Sequence, residues 1–263
     1  MSKQFHGWVI FWGTLISLLL YAGGVLAASG KFFIVGMGTV PDLMTLRAVQ
    51  CVKQADIVIL EGEEDKAAWK DLIEGKEIWF FGHRSQVFYG VDPQTLKSEA
   101  AKAKAIQMAK YRQDMMDKIK DAVTKGKNVA SLQWGDPMLY GITLFLEMLP
   151  KNIPSEIIPG VGAFQASSAA VKMSPPYGWD TNGVILTMAD WPGRTDTNEK
   201  LMATQSSMVF FTMHLDYPKL FEQLKRHYPK DTPVAVVNHA GDRERQKVIL
   251  STVGGFLDDV KYQ

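Results

Sequence analysis

Trp134-Gly135-Asp136-Pro137-Met138-Leu139-Tyr140-Gly141 follows an apolar run at 129–132 and sets Gly and Pro where a strand hands over to a helix. A second handover, Ile158-Pro159-Gly160-Val161-Gly162-Ala163-Phe164, follows a short strand-like run at 156–158. A third, Val35-Gly36-Met37-Gly38, closes a run that starts at Lys31. Open α/β sheets bind ligands at such turns, because a tight glycine turn brings bare backbone amides close to the guest.

Working outward, the hydrophobic pattern gives alternating strands and helices. Residues 31–35 read as a buried strand. Pro41 and Asp42 then open a helix carrying Leu43, Leu46, Val49 and Val52 at helical spacing, since proline suits a first helical turn. A strand at 57–60 completes one β-α-β unit. A third strand is expected at 78–81, and a Gly- and Pro-free helix at 95–124 that Gly126 ends. The stretch Leu149-Pro150-Lys151-Asn152-Ile153-Pro154 reads as a linker. Beyond it come a strand at 156–158, a helix at 163–171, strands at 184–187, 208–212 and 233–238, a helix at 218–227, and an edge strand at 248–252. The expected fold is therefore α/β: two consecutive modules, 31–150 and 151–263, with a ligand cleft between them.

The chain has 263 residues, 46% hydrophobic and 22% charged, which is a globular composition. A net charge of +1 gives no basic face for nucleic acid. Cys51 is the one cysteine, so no internal disulfide and no thiolate zinc site is possible, and its helical apolar context makes it a core residue. No metal site is expected. Residues 8–28 carry no charge, a run about long enough to cross a bilayer. Lys3 precedes it and Val25-Leu26-Ala27-Ala28-Ser29 offers small residues, so segment 1–30 reads as either a cleaved secretory signal or an uncleaved anchor. Both readings make the protein membrane-associated or exported, with the side of the membrane left open.

Taken in order, these motifs resemble the tetrapyrrole methylase family, which transfers methyl groups from S-adenosylmethionine to porphyrin-like rings. Val35-Gly36-Met37-Gly38 and the Pro41–Ala48 stretch are similar to its opening glycine loop and first helix. Ala55-Asp56-Ile57-Val58 is similar to its second strand, Gly135-Asp136-Pro137 with Tyr140-Gly141 to its Gly-Asp-Pro motif, and Pro159-Gly160-Val161 to its Pro-Gly-Val turn. Gly193-Arg194-Thr195 and Phe211-Thr212-Met213-His214 resemble the branch that methylates precorrin-4 at C11. One stretch departs: where the family's first loop continues Pro-Gly-Asp-Pro, this chain reads Thr39-Val40-Pro41-Asp42.

The resemblance implies a methyltransferase that uses S-adenosylmethionine as cofactor, held by Gly135, Asp136, Pro137, Met138, Pro159, Gly160, Thr212, Met213 and Ala240. It implies a tetrapyrrole substrate against Gly36, Gly38, Arg194 and Arg84, the arginines meeting the substrate's carboxylates. His214 is a candidate proton acceptor, and Asp136 is equally suited to capping the helix after it. The family also implies a homodimer. Two further readings are an exported, non-catalytic tetrapyrrole-binding protein of the same fold and a dinucleotide-dependent oxidoreductase. Gly36-Met37-Gly38 with Glu61 invites the latter, but Pro41 stands where its fingerprint needs a glycine.

Overall fold

The computed structural model describes residues 29–141, 144–177 and 182–260. The apolar run at 8–28, read as signal or anchor, lies outside the described residues. The expectation of a membrane-associated or exported protein is not carried by the fold: among the described residues no helix is long and apolar enough to cross a membrane.

Five parallel strands form the first sheet: β1 (Phe32–Gly36), β2 (Ile57–Leu60), β3 (Glu77–Phe80), β4 (Val129–Gln133) and β5 (Ser155–Ile158), in the order β3-β2-β4-β1-β5. β1, Phe-Phe-Ile-Val-Gly, is buried along its whole length because it has a neighbour on each edge and helices on each face. Its side chains alternate between two cores. Phe32 and Ile34 join Ile57, Ile59, Val129 and Phe145 under the long helix, while Phe33 and Val35 join Val58, Leu60, Leu132 and Trp69 on the other face.

The helices on these faces are α1 (Leu46–Gln54), α2 (Lys66–Ile73), α3 (Glu99–Thr124) and α4 (Leu144–Met148). Pro41–Leu43 make a single 3-10 turn, and the chain is extended at Met44 and Thr45. Thr45 then caps α1, accepting the Ala48 amide at 3.1 Å. This break resets the helical phase. Leu46, expected on the apolar face, is 83% exposed, while Ala48, Cys51 and Val52 point inward. Ser98 caps α3 in the same way, so that helix starts at Glu99 and not at 95.

Three expectations of topology change. β1 and β2 do not adjoin, because β4, with small Ala130 and Ser131, is inserted between them. β5 pairs with β1, so the first sheet runs past the expected 150/151 boundary. The last strand pairs antiparallel with the strand before it and closes no larger sheet.

The remaining chain contributes α5 (Ala163–Ala170), a parallel pair β6 (Val184–Thr187) and β7 (Ser207–Phe210), and a hairpin of β8 (Pro233–Asn238) with β9 (Lys247–Thr252). Helices α6 (Asn198–Met202), α7 (Tyr217–His227) and α8 (Phe256–Asp259) share one core there, with Phe221 and Phe256 stacked at 3.9 Å.

Candidate functional site

Three glycine turns meet at the carboxyl ends of β1, β4 and β5. Gly38 and Gly135 exchange backbone hydrogen bonds of 2.9 and 3.2 Å, and the Met37 amide donates to the Gln133 carbonyl at 2.8 Å. A Cβ on Gly160 would lie 2.1 Å from the Gly135 carbonyl oxygen and 2.9 Å from the Gly36 backbone. One on Gly36 would lie 2.5 Å from the Gly160 nitrogen and 2.9 Å from the Pro137 ring. The two backbones therefore touch only because neither residue has a side chain. Gly135 takes φ +70°, a left-handed turn that aims the following segment across the strand ends. The Asp136 carboxylate accepts the Met138 amide at 2.9 Å, a local turn within the Gly-Asp-Pro segment, and the next helix begins only at Leu144, so the expected helix cap is not formed.

The Gly-Asp-Pro segment also reaches the second unit. The Tyr140 hydroxyl donates to the Leu186 carbonyl at 3.2 Å, and its ring packs edge-on to Phe211 at 4.9 Å. Thr212 and Met213 follow Phe211 directly, and both are exposed. Gly135, Asp136, Pro137, Met138, Gly160, Thr212 and Met213 are thus gathered by two turns and one strand end. Pro159, exposed, stands at the head of the Gly160 turn.

A cavity of about 250 Å³ opens beside these turns, lined by Thr39, Val40, Ala163, Ser167, Val237, His239, Ala240, Asp242 and Arg245. Ala240, from the β8–β9 turn, therefore meets the first glycine loop and the start of α5. Thr39, which sequence reading noted only as a departure, is a wall of this cavity. Its hydroxyl is buried and has no hydrogen-bond partner. The two sides are tied together by Arg243, whose Nε donates to Asp42 at 2.9 Å. A larger hollow of about 450 Å³ lies at the opposite, amino ends of the strands. Two of its charged groups are already engaged: Lys76 donates to the Lys53 and Ala55 carbonyls, and Asp56 accepts the Asn128 amide. That amide holds the Asp56 carboxyl below its usual range, and Lys127 adds to the effect. The smaller cavity is the one beside the turns.

The residues expected to bind substrate do not all gather there. Gly36 and Gly38 belong to the turn cluster. Arg84 lies beyond β3, separated from β1 by β2 and β4, and rests over the Tyr111 ring at 4.9 Å. Arg194 is 7% exposed, and its donors go to Asp196 (2.9 Å), Asp190 (3.2 Å), the Met188 carbonyl (3.4 Å) and Thr187 (3.1 Å). The Asp196 hydrogen bond holds the guanidinium above its usual pKa, and Asp190 adds to it. His214 is exposed, in a left-handed turn at φ +62°.

Two features were missed by the sequence reading. Asp65 is buried and accepts the Glu61 and Gly62 amides, both at 3.2 Å, and Trp134 Nε1 at 3.1 Å. It thereby fixes the indole that precedes Gly135. Thr187 and Asn198 are buried and bonded at 2.7 Å behind Arg194. A polar residue closing a strand (Thr187), or opening a helix within a loop (Asn198), was the available signal for that pair.

This geometry can be set against known proteins. The model of the Tetrapyrrole (Corrin/Porphyrin) Methylases matches residues 31–256. A cobalt-precorrin-4 C(11)-methyltransferase of Methanocaldococcus jannaschii is 28% identical over 240 residues, covering 88% of this chain and 82% of that one. A uroporphyrinogen-III C-methyltransferase of Bacillus subtilis is 26% identical, covering 88% and 84%. Among solved structures, a cobalt precorrin-4 methyltransferase of cobalamin biosynthesis superposes with a TM-score of 0.65 at 24% identity, covering 88% of this chain and 89% of that one. A uroporphyrin-III C-methyl transferase of Thermus thermophilus, complexed with S-adenyl homocysteine, gives 0.59 at 18% identity, covering 89% of each chain. The structural likenesses establish a shared fold. The family match takes in all three glycine turns, both walls of the cavity and nearly all of the second unit. The chain belongs to the tetrapyrrole (corrin/porphyrin) methylase family.

Proposed function

We propose that the chain is an S-adenosylmethionine-dependent C-methyltransferase acting on a tetrapyrrole of the precorrin class, with C11 of precorrin-4, the position named for its Methanocaldococcus jannaschii relative, as the site of methylation. The observation that carries this reading is the convergence of the β1, β4 and β5 glycine turns beside a cavity walled by both units.

The cofactor fits what the chain presents. The cavity has room for a nucleoside but not for a macrocycle, and Thr39, whose hydroxyl is buried without a partner, stands in its wall. Ala163, Ser167 and Ala240 would flank the adenosyl group, and the Gly135 and Gly160 turns would hold its other end. When bound, S-adenosylmethionine supplies an electrophilic methyl group on a sulfonium, and it leaves as the neutral thioether. The chain's part is alignment and exclusion of water, which suffice for an in-line displacement. Pro137 and the touching Gly36 and Gly160 backbones make the turns rigid, so the reacting groups are held at fixed separation. Met138 and Met213, both exposed beside the turns, offer apolar walls that keep water from the methyl path.

The exposed apolar side chains also favour a substrate that presents an extended ring face. Trp134, Met138 and Tyr140 come from the Gly-Asp-Pro segment, and Trp191 and Met213 from the strand ends of the second unit. His214, exposed after the end of β7, is the candidate acceptor of a substrate proton. The homodimer implied by the family remains part of this proposal, as do two α/β units, with the boundary between them after β5. No observation favours the non-catalytic alternative.

The test is calorimetric titration of the full chain with S-adenosylhomocysteine, followed by transfer of labelled methyl from S-adenosylmethionine to uroporphyrinogen III and to cobalt-precorrin-4. Micromolar binding and transfer to one of them are expected. A folded protein that binds no S-adenosylhomocysteine would refute the reading.

A further inference from the structure

Arg194 was expected to meet a substrate carboxylate, and its surroundings argue for a different task. A guanidinium has five N–H donors. Four are engaged by the loop that carries it, and the side chain is 7% exposed. Besides one N–H, the group still offers its flat face, and that face carries the Trp191 indole, 5.0 Å from the guanidinium carbon to the ring centroid. Trp191 itself is 55% exposed.

The loop is fixed from behind. Thr187 donates to Asn198 at 2.7 Å, and the Asn198 amide donates to Asp190 at 3.0 Å. It stands at the carboxyl end of β6, where the Tyr140 hydroxyl joins Leu186. A large aromatic ring held rigidly in solvent costs little entropy when it is covered by a ligand. An arginine face is also a favourable backing for an indole, because the cation is drawn to the ring's electron density.

We propose that Trp191 is a specificity-determining residue that stacks on the ring face of the tetrapyrrole substrate, and that Arg194 is a positioning residue that acts through it. The proposal rests on the function proposed above and adds the side chain that reads a flat macrocycle. Substrate carboxylates are then met elsewhere.

Uroporphyrin III, a planar tetrapyrrole that is followed by its own absorbance, serves as probe, alongside S-adenosylhomocysteine by calorimetry. Trp191→Ala should weaken uroporphyrin binding about tenfold, the value of one aromatic stack, and leave S-adenosylhomocysteine affinity unchanged. Trp191→Phe should recover most of the loss. Arg194→Lys keeps the charge but loses the fork, and should weaken uroporphyrin binding to a similar extent. Adding it to Trp191→Ala should cost nothing further, since both remove one stack. Wild-type uroporphyrin affinity in a folded Trp191→Ala variant would overturn the proposal, as would a loss confined to S-adenosylhomocysteine. If the wild-type protein binds neither probe, the functional reading falls first and takes this proposal with it.

Discussion

Gly160→Ala is the sharpest perturbation the site allows. The added methyl carbon would lie 2.1 Å from the Gly135 carbonyl oxygen, against an ordinary contact of about 3.4 Å. The Gly36 backbone, 2.9 Å away on another side, blocks the easiest retreat. The turns must part by roughly 1 Å, and overpacking of this kind costs about 1–3 kcal/mol. For a domain of this size that is a fall of about 3–10 °C in melting temperature. The same displacement separates the two turns proposed to hold the cofactor, and a misplacement of about 1 Å costs on the order of a hundredfold where alignment matters. Gly135→Ala is the informative contrast. Its Cβ would meet only the Gly162 Cα at 3.7 Å, so the residue bears just the strain of φ +70°, about 1–2 kcal/mol, with no parting of the turns. Thermal unfolding and S-adenosylhomocysteine calorimetry on both variants decide the matter. Gly160→Ala should lose most cofactor affinity, and Gly135→Ala should keep it within about threefold. Equal losses in the two, or wild-type affinity in Gly160→Ala, would refute the reasoning from backbone contact.

Other consequences follow from single side chains. Asp65→Asn leaves one carbonyl oxygen to replace a carboxylate that accepts three N–H groups, and should cost about 1–2 kcal/mol by chemical denaturation. It should also change Trp134 fluorescence. Tyr140→Phe keeps the edge-on contact with Phe211 and loses the bond to Leu186, so a loss of about 1 kcal/mol with the fold intact is expected in the same assay. Glu199 is held at about 2 by hydrogen bonds from Arg226 and His227. A carboxylate with a depressed folded pKa stabilises above its unfolded value near 4.5, and that contribution is lost as pH falls from there towards 2. Glu199→Gln should therefore flatten acid unfolding in this window, by under about 1 kcal/mol given the half-exposed setting. An unchanged acid slope would show that the pair contributes nothing.

Much of this architecture is legible in local sequence. Runs such as 57–60, 184–187 and 233–238 announce themselves because strand burial demands consecutive or alternating apolar residues. Glycines at 36, 135 and 160 announce the turns. What local pattern cannot carry is partner choice. Nothing in Phe32–Gly36 says that its neighbours are β4 and β5, since a strand's edges are backbone and look alike to any partner. The phase of α1 was misread for a related reason. Pro41 signals a helical turn, but only the extended Met44 and the Thr45 cap show that this turn stops after Leu43. Around the site, Arg194 read as a substrate ligand because arginine in a glycine loop suggests an anion. The anions it meets, Asp190 and Asp196, are its own neighbours. Thr39 read only as part of a departure from the family's first loop, while its buried hydroxyl is legible only once the β8–β9 turn closes over it.

The insertion of β4 between β1 and β2 also bears on how the chain comes to be folded. Phe32–Gly36 is synthesised well before its hydrogen-bonding partners, which begin at Val129 and Ser155. Until those residues emerge, an entirely apolar strand has both edges open, and a nascent chain in that condition is prone to pair with another copy of itself. Closing the loop to β4 must also precede any reward from the central pairing, which makes the sheet a late and slow event. The α1–β2–α2–β3 hairpin of elements can assemble earlier, leaving a gap of one strand's width. In refolding, the rate should therefore depend on apolar side chains of β4 such as Leu132 more than on those of β3, and at high protein concentration the yield should fall through association at β1.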